Sequence, residues 1–254
     1  MILNSFKLDG KVALVTGAAQ GLGQGMALGL AEAGADIASL DRAGCAGTCE
    51  AVRALGRKYC ETVMDLREAS VEDLKAAVGL IINELGRVDI LVNNAGTIRR
   101  TPAIDFSESD WDDVLQINLK AAFFLSQAVA RVMMSQGGGK IINVASMLSF
   151  QGGITVPSYT AAKSGLAGIT RALANEWAKH NLNVKAIAPG YMATDNTAAL
   201  RADSVRSTSI LDRIPAGRWG TPDDLKGVIV FLASSASDYM NGAIVPVDGG
   251  WLAR

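Results

Sequence analysis

The feature of this chain that most restricts its fold is a repeated alternation of short apolar runs with segments of helix length. The short runs, of which Lys11–Val15 and Asp36–Leu40 are the first two, are nearly continuously apolar rather than alternately apolar and polar. Such strands are typical of a parallel sheet that helices cover on both faces. Because crossovers between parallel strands are right-handed, the pattern predicts a doubly wound α/β fold.

The alternation predicts about seven strands and their helices in a single Rossmann-type domain that spans residues 1–254. The predicted strands are Lys11–Val15, Asp36–Leu40, Glu61–Met64, Asp89–Val92, Lys140–Val144, Asn183–Ile187 and Ile244–Val247. The predicted helices are Leu22–Ala33, Ala46–Leu55, Val71–Leu85, Ser107–Met134, Tyr159–Lys179 and Asp223–Ala233. The least regular stretch, residues 192–215, is either a surface excursion or a mobile lid over a binding site.

Composition argues against several classes of function. The net charge of −1 gives no basic surface for nucleic acid or an anionic membrane, and the longest apolar runs, such as Val228–Ala233, are too short to span a bilayer. The first residues contain no export signal, so we expect a cytoplasmic protein. The three cysteines with His180 are a poor set of metal ligands, and a single histidine argues against Ser–His or Cys–His catalysis.

A glycine-rich turn, T-G-A-A-Q-G-L-G at Thr16–Gly23, stands between the first predicted strand and the first predicted helix. Glycines permit a tight turn and close backbone approach, and the N-terminus of the helix offers N–H groups to a pyrophosphate. Since the turn has the strand–helix context that such a site requires, it predicts dinucleotide binding rather than a plain turn.

The ends of the second and third strands bear on the choice of dinucleotide. Asp41 can accept hydrogen bonds from an adenosine ribose and repels a 2′-phosphate, which favours NAD over NADP. Arg42 argues the other way, because a guanidinium can pair with that phosphate. We expect Asp65 and Leu66 to lie beside the adenine, although Asp65 also fits the start of a helix.

Tyr159 and Lys163, in the segment Y-T-A-A-K, lie four residues apart in a predicted helix and therefore share one of its faces. A nearby ammonium lowers the pKa of a phenol by roughly 1–3 from its usual value of ~10. The phenol could then exchange protons with an alcohol or a ketone near neutral pH. Taken alone, the pair also fits a solvated helix face.

Five motifs in order resemble the short-chain dehydrogenase/reductase family, and the resemblance covers essentially the whole chain. They are T-G-x-x-x-G-x-G at Thr16–Gly23, N-N-A-G at Asn93–Gly96, a lone Asn118, Ser146 followed by Tyr159 and Lys163, and P-G at Pro189-Gly190 followed by Thr194.

The resemblance implies that Tyr159 is the general acid/base, that Ser146 hydrogen-bonds the reacting oxygen and that Lys163 lowers the tyrosine pKa and holds the nicotinamide ribose. It implies that Asn118 anchors a water that links the lysine to solvent. With the glycine-rich turn and the strand ends, it gives the expected coenzyme contacts: Gly17, Gln20, Gly21, Leu22, Gly23, Asp41, Arg42, Asp65, Leu66, Asn93, Asn94, Ala95, Gly96, Tyr159, Lys163, Pro189, Gly190, Met192 and Thr194.

Further segments, including Ala145–Gly153 and Ile210–Gly220, are similar to a branch of the family that acts on deoxygluconate-type sugar acids of pectin breakdown. This likeness implies reversible oxidation of a secondary alcohol of a sugar acid with NAD, in a homotetramer whose C-terminal Trp251–Arg254 could reach a neighbouring subunit. The substrate residues expected from position are Arg99 and Arg100, as a carboxylate clamp or as solvated loop residues, and Ser149, Gln151 and Trp219.

Two alternatives remain open. Other branches of the family, such as gluconate 5-dehydrogenase or 3-oxoacyl-carrier-protein reductase, carry the same motifs, although Asp41 weighs against the NADPH that the reductase usually prefers. A non-catalytic scaffold that senses NAD(H) would also bind a dinucleotide, but such a protein does not need Tyr159 and Lys163.

Overall fold

The computed structural model describes all residues, Met1–Arg254, and contains one sheet of seven strands. The strands are β1 (Val12–Thr16), β2 (Asp36–Asp41), β3 (Tyr59–Val63), β4 (Ile90–Asn93), β5 (Gly139–Val144), β6 (Leu182–Pro189) and β7 (Ile244–Val247). The helices are α1 (Gly21–Glu32), α2 (Ala46–Ala54), α3 (Val71–Leu85), α4 (Glu108–Leu115), α5 (Ala121–Ser135), α6 (Pro157–Trp177), α7 (Ala198–Ala202), α8 (Ser204–Leu211) and α9 (Lys226–Ala233). Short 3₁₀ turns occupy Ile2–Phe6, Ala103–Asp105, Met147–Ser149, Ala178–His180, Asp195–Thr197, Pro222–Leu225, Ser235–Ser237 and Trp251–Ala253.

The strand order is β3-β2-β1-β4-β5-β6-β7, and every neighbouring pair is parallel. The chain therefore winds outward from β1 in one direction and from β4 in the other, which confirms the prediction of a doubly wound fold. At this change of direction, the connections leaving β1 and β4 separate and open a crevice beyond the carboxyl ends of the strands.

Both faces of the sheet are covered. The β1 residues Ala13 and Val15 belong to a core of 22 buried residues that includes α1 and α9, whereas Leu14 belongs to a second core of 22 that includes α3 and α5. Because successive side chains of a strand point to opposite faces, a strand between two cores is apolar along its whole length. This is why the central strands appear in the sequence as unbroken apolar runs.

The predicted helix Ser107–Met134 is interrupted in the structure. A π-helical turn, Gln116–Lys120, separates α4 from α5 and contains Asn118. The predicted helix Asp223–Ala233 likewise begins as a 3₁₀ turn, in which Thr221 and Asp224 form a capping box before α9 starts. A π or 3₁₀ turn changes which backbone groups are hydrogen-bonded but leaves the apolar periodicity of the sequence largely intact. The sequence pattern therefore does not reveal such turns.

The segment 192–215 is more regular than the sequence indicates, since it contains α7 and α8. Its far end is anchored, because Ile210 and Ile214 are buried in a small cluster with Trp251. Its start is fixed by a bridge between Met192 and Gly220. Whether this segment moves over the crevice stays a prediction. None of the helices combines the length and the apolar character needed to cross a membrane.

Candidate active site

The crevice beyond the strand ends is a cleft of about 1360 Å³. Its walls come from the glycine-rich turn, the ends of β2, β4 and β5, the first turns of α6, and the segment that carries α7 and α8. At one end lie the strand-end residues expected at the adenosine, and at the other lie Tyr159 and Trp251.

The glycine-rich turn packs directly beneath the first turn of α1. Gly17 has a φ of 66°, and a Cβ at this position would lie 2.9 Å from Asn94 Nδ2. A Cβ on Gly23 would overlap both Gly17 O and Asn94 Nδ2. The Gln20 side chain does not cap α1, so the first amide groups of the helix are free to bind an anion. This arrangement fits the pyrophosphate of a dinucleotide, and Gln20, Gly21 and Leu22 line the cleft as expected.

The N-N-A-G motif contributes two asparagines that face opposite ways. Asn94 lines the cleft, and its Nδ2 donates to Thr16 O at 2.9 Å and to Gly17 O at 3.1 Å, which fixes the glycine-rich turn. Asn93 is only 4% exposed, and its Nδ2 donates to Asn143 Oδ1 at 2.9 Å in the interior. As the last residue of β4, Asn93 points its side chain into the core, so the expected contact of this residue with the coenzyme, which stays a prediction, does not come from its side chain. Ala95 and Gly96 line the cleft.

The strand-end residues Asp41, Arg42, Asp65 and Leu66 all line the cleft. Asp41 Oδ2 accepts a hydrogen bond from the Ala19 amide at 2.9 Å, so this carboxylate is tied to the glycine-rich turn. Arg42 is exposed and forms no ion pair. Asp65 Oδ1 accepts from the Arg67 amide at 2.9 Å, which holds the turn after β3 in place.

Ser146, Tyr159 and Lys163 meet in the cleft at the end of β5 and the start of α6. Lys163 is 3% exposed, and its Nζ donates to Val144 O at 2.6 Å. The same Nζ lies 5.5 Å from the centre of the Tyr159 ring. Ser146 Oγ accepts from the Leu148 amide at 3.1 Å, which fixes the orientation of its hydroxyl. The phenol, the hydroxyl and the amine therefore share one wall of the cleft.

The electrostatics of this wall differ from the expectation of an unusually acidic phenol. Burial raises the pKa of Tyr159, and the Ser146 hydroxyl and the charge of Arg100 oppose that rise without cancelling it. Burial also lowers the pKa of Lys163 to about 8. Burial thus disfavours the charged form of both groups, the phenolate of Tyr159 and the ammonium of Lys163.

Asn118 lies within the π-helical turn and is 1% exposed. Its Nδ2 donates to Val114 O and Thr97 O, both at 2.9 Å, whereas its Oδ1 is buried without a hydrogen-bond partner. Gly96 makes room for this oxygen, because a Cβ there would lie 2.6 Å from Asn118 Oδ1. A buried carbonyl oxygen that lacks a protein partner fits a bound water.

The P-G segment at the end of β6 contributes Gly190 and Thr194 to the cleft. Pro189 is the last residue of the buried strand β6, and the Met192 side chain packs into the core under Gly220, so neither side chain lines the cleft. The expected contacts of these two residues with the coenzyme, for Met192 through the backbone near it, stay predictions. Trp219 is also absent from the cleft wall, because it packs edge-on against Tyr191 with 5.5 Å between ring centres.

Two of the expected substrate residues are occupied by other contacts. Arg99 lines the cleft, but its guanidinium forms ion pairs with Asp110 at 3.0 Å and Asp113 at 3.3 Å, so it is not available as a carboxylate clamp. Ser149 lies outside the cleft wall, and its Oγ donates to Lys163 O at 2.7 Å. Both expectations came from chain position alone, which does not show these tertiary partners.

Arg100 and Gln151 do line the cleft. Arg100 is exposed, and its guanidinium donates one hydrogen bond of 3.2 Å to Asn196 O. Gln151 Oε1 accepts from Trp251 Nε1 at 3.2 Å. Trp251 packs within its own subunit and forms part of the cleft wall, rather than extending away from the chain.

Other residues of the cleft wall could not be predicted from the sequence, because only the tertiary structure brings them together. Arg206 and Arg213 line the substrate end from α8 and the turn after it, and Thr97 lines it from the turn after β4. No local pattern marks them. No group of three or more His, Cys, Asp or Glu side chains has the arrangement needed to hold a metal ion.

Residues 11–205 match the family model described as short chain dehydrogenase. The chain is 63% identical over 255 residues to the 2-dehydro-3-deoxy-D-gluconate 5-dehydrogenase of Escherichia coli (strain K12), with both chains fully covered. A solved structure from Agrobacterium tumefaciens, provisionally named a 2-deoxy-D-gluconate 3-dehydrogenase and holding bound NADP, is 53% identical with a TM-score of 0.92, covering 99% of this chain and 100% of that one.

A second solved structure, a gluconate 5-dehydrogenase from Burkholderia cenocepacia J2315 in complex with NADP and tartrate, is 39% identical with a TM-score of 0.95, and both chains are fully covered. The family match, the identities over the full length and the cleft geometry all agree with the resemblance drawn from the five motifs. The chain belongs to the short-chain dehydrogenase family of oxidoreductases.

Proposed function

We propose that this enzyme reversibly oxidises a secondary alcohol of a deoxygluconate-type sugar acid, as a 2-dehydro-3-deoxy-D-gluconate 5-dehydrogenase or 2-deoxy-D-gluconate 3-dehydrogenase. The observation that carries the reaction type is the convergence of Ser146, Tyr159 and Lys163 on one wall of the cleft. The observation that supports the substrate is the full-length identity of 63% to a relative that bears the first of these names.

In the proposed reaction, Tyr159 removes the hydroxyl proton of the alcohol, and Ser146 hydrogen-bonds the oxygen that becomes the carbonyl. In the reverse direction Tyr159 returns the proton to the ketone oxygen. The raised pKa of its phenol favours the protonated form that donates in this reverse direction, whereas removal of the alcohol proton requires the phenolate. The positive charge of Arg100 favours the phenolate that forms during oxidation. At neutral pH, below the Lys163 pKa of about 8, the ammonium of Lys163 adds to this effect in the proposed reaction. Asn118 holds a water that connects Lys163 to solvent.

The coenzyme when bound supplies the hydride acceptor, and the residues that would hold it are those of the glycine-rich turn and the strand ends. Gly17–Gly23 and the first amides of α1 fit the pyrophosphate, and Asn94 supports that turn. Asp41 fits the adenosine ribose, Tyr159 and Lys163 the nicotinamide ribose, and Thr194 the carboxamide. These assignments use only residues that the cleft exposes or that support its wall.

We also propose that NAD is preferred to NADP. Asp41 supports this preference, because its carboxylate repels a 2′-phosphate. Arg42, exposed and without an ion pair, supports some use of NADP, and two related solved structures hold bound NADP. We propose further that the protein is a cytoplasmic homotetramer with a role in pectin breakdown. Light scattering of the purified protein tests the subunit number, with four copies expected.

The reaction is tested by following the absorbance of reduced nicotinamide with purified protein over hexonates, deoxyhexonates and hexuronates, each with NAD and NADP. We expect the highest kcat/KM with a deoxyhexonate and NAD. A higher value with gluconate would favour a gluconate 5-dehydrogenase, which the similarity to the Burkholderia structure supports as the second candidate. Reduction of an acetoacetyl thioester without action on sugar acids would indicate a carrier-protein reductase. Binding of NADH without any turnover would indicate a sensing scaffold.

A further inference from the structure

The substrate end of the cleft contains an arginine that rests on an aromatic ring. Arg213 follows α8, and its Cζ lies 4.1 Å from the centre of the Trp251 ring. Both residues line the cleft. A guanidinium stacked on an indole is stabilised by the π-electrons of the ring, and its N–H groups remain available at its edge.

The Trp251 ring is held firmly. It is 5% exposed, its Nε1 donates to Gln151 Oε1 at 3.2 Å, and it packs edge-on against Tyr191 with 4.8 Å between ring centres. Gln151 lies in the loop between Ser146 and Tyr159. The platform beneath Arg213 is therefore fixed to the loop that connects two of the reacting residues.

The last residue of the chain fixes the backbone that carries Arg213. Arg254 Nε donates to Arg213 O at 3.2 Å, and Arg254 Nη2 donates to Asp212 O at 2.7 Å. The C-terminal segment thus contacts this arginine twice, through the ring of Trp251 and through the guanidinium of Arg254.

The positive charge of Arg213 is not neutralised. Its guanidinium forms no ion pair, whereas that of Arg99 is bound to two aspartates. Arg206 also lines the cleft without an ion pair, but it has no aromatic ring beneath it. Arg100 also lines the cleft without an ion pair, and it likewise has no aromatic ring beneath it. Among these four arginines, only Arg213 is both free to bind an anion and ordered in advance by its surroundings, which reduces the entropy lost on binding.

The platform also lies close to the reacting groups. Trp251 is buried in a cluster with Met147 and Leu148, which follow Ser146 directly, and Tyr159 packs against the same cluster. A sugar acid has its carboxylate at one end of a short chain of hydroxyl-bearing carbons. A cation on this platform and the phenol of Tyr159, which line the same cleft, match these two kinds of group.

We propose that Arg213, stacked on Trp251 and supported by Arg254, binds the carboxylate of the substrate and so selects sugar acids over uncharged polyols. The proposal rests on the proposed function, since it assigns the carboxylate site for that reaction. Arg254 is a positioning residue, because it acts through the backbone of Arg213 rather than on the substrate.

The test compares a deoxyhexonate with its carboxamide, which has the same hydroxyls but no charge. In Arg213→Gln, we expect the KM for the acid to rise roughly 10- to 100-fold, as for the loss of a charge-assisted hydrogen-bond pair, with kcat largely retained and the KM for the amide unchanged. Arg213→Lys keeps the charge but not the two-pronged geometry, so its KM for the acid should fall between those of the wild type and Arg213→Gln.

Arg131→Gln is the matched control, since it removes an exposed positive charge on α5 that lies outside the cleft wall and forms no ion pair, and it should leave the ratio of acid to amide KM nearly unchanged. Arg254→Gln should raise the KM for the acid by a smaller factor than Arg213→Gln. Circular dichroism and NADH fluorescence report whether each variant is folded and binds coenzyme.

The outcomes separate the two hypotheses. If the wild type turns over no sugar acid, the proposed function fails and the assignment of Arg213 fails with it. Two results with an active wild type would show that only the assignment of Arg213 is wrong. In the first, Arg213→Gln has an unchanged KM for the acid; in the second, its KM rises by the same factor for the acid and for the amide.

Discussion

The Asp41 carboxylate accepts a hydrogen bond from the backbone amide of Ala19, with 2.9 Å between Asp41 Oδ2 and the Ala19 nitrogen. Its other oxygen accepts from the Ala43 amide at 3.2 Å. The residue proposed to favour NAD over NADP is thus also a support of the glycine-rich turn that is proposed to bind the pyrophosphate. A substitution at Asp41 can change selectivity, turn geometry or both, and a pair of variants is needed to separate them.

Asp41→Asn retains an oxygen that can accept from Ala19 but removes the charge that repels a 2′-phosphate. We expect its ratio of kcat/KM for NADP to that for NAD to rise by about tenfold or more, the effect of roughly 1.4 kcal/mol. Asp41→Ala should raise the KM for both coenzymes as well, because the turn loses its hydrogen bond. Steady-state kinetics with both coenzymes measure this, and equal ratios in the wild type and Asp41→Asn would show that Asp41 does not set the preference.

Gly23 is a position where the structure admits no side chain. A Cβ there would overlap Gly17 O and Asn94 Nδ2, so Gly23→Ala must push α1 away from the turn. We expect loss of measurable NADH binding and a lower melting temperature. Gly79→Ala is the matched control: Gly79 lies within α3 with open space around its Cα, and there the extra methyl should stabilise the protein by about 0.5–1 kcal/mol. NADH fluorescence titration and thermal melting test both, and normal NADH binding by Gly23→Ala would refute the tight packing.

Lys185 is an ionisable residue of the sheet interior, 0% exposed, and its Nζ donates to Leu232 O at 3.1 Å and to Ser237 O at 2.8 Å. Burial, together with repulsion from Lys140, lowers its pKa to about 7. Between this value and the ordinary lysine pKa of ~10.4, the unfolded chain binds a proton that the folded chain has lost. The contribution of Lys185 to stability therefore increases as the pH rises through this window.

We expect the free energy of unfolding of the wild type, relative to that of Lys185→Met, to increase from pH 7.5 to 9.5 by up to about 1.4 kcal/mol per pH unit. Urea denaturation at a series of pH values measures this difference. Lys179→Met, which replaces an exposed lysine, should give a difference that does not change with pH. A constant difference for Lys185→Met as well would mean that Lys185 stays protonated in the folded protein.

Strands and capped helices could be predicted closely from the sequence because their signals are local. The helix predicted at Val71–Leu85 has these bounds in the structure, since Ser70 caps its first turn and Gly86 ends it in the left-handed conformation with a φ of 83°. The π-helical turn around Asn118 has no such signal. It joins α4 to α5 without a capping side chain, so no short stretch of sequence marks its position.

Some residues of the candidate site could likewise be predicted from local patterns, whereas others depend on the tertiary structure. Motif residues such as Tyr159 and Lys163 could be placed together because they share one helix face. Arg99 and Arg100 follow N-N-A-G, and their position fits either a carboxylate clamp or solvated loop residues. In the structure, two aspartates of α4 bind the guanidinium of Arg99. Arg213 lies 62 residues beyond Gln151, whose contact with Trp251 completes its platform, so only the folded chain identifies it.

Replacement of Tyr159 by Phe is the most direct test of the proposed chemistry. The variant keeps the ring that packs against the cluster containing Trp251 but removes the oxygen that exchanges the proton. Lys163 cannot replace it, because its Nζ donates to Val144 O and lies 5.5 Å from the ring centre. We therefore expect kcat to fall by about 10²–10⁴-fold while the dissociation constant for NADH stays nearly unchanged.

Tyr239→Phe, at a fully exposed tyrosine, controls for the substitution and should keep wild-type turnover. Stopped-flow and steady-state assays measure the rates, and substantial turnover by Tyr159→Phe would exclude its phenol as the acid/base.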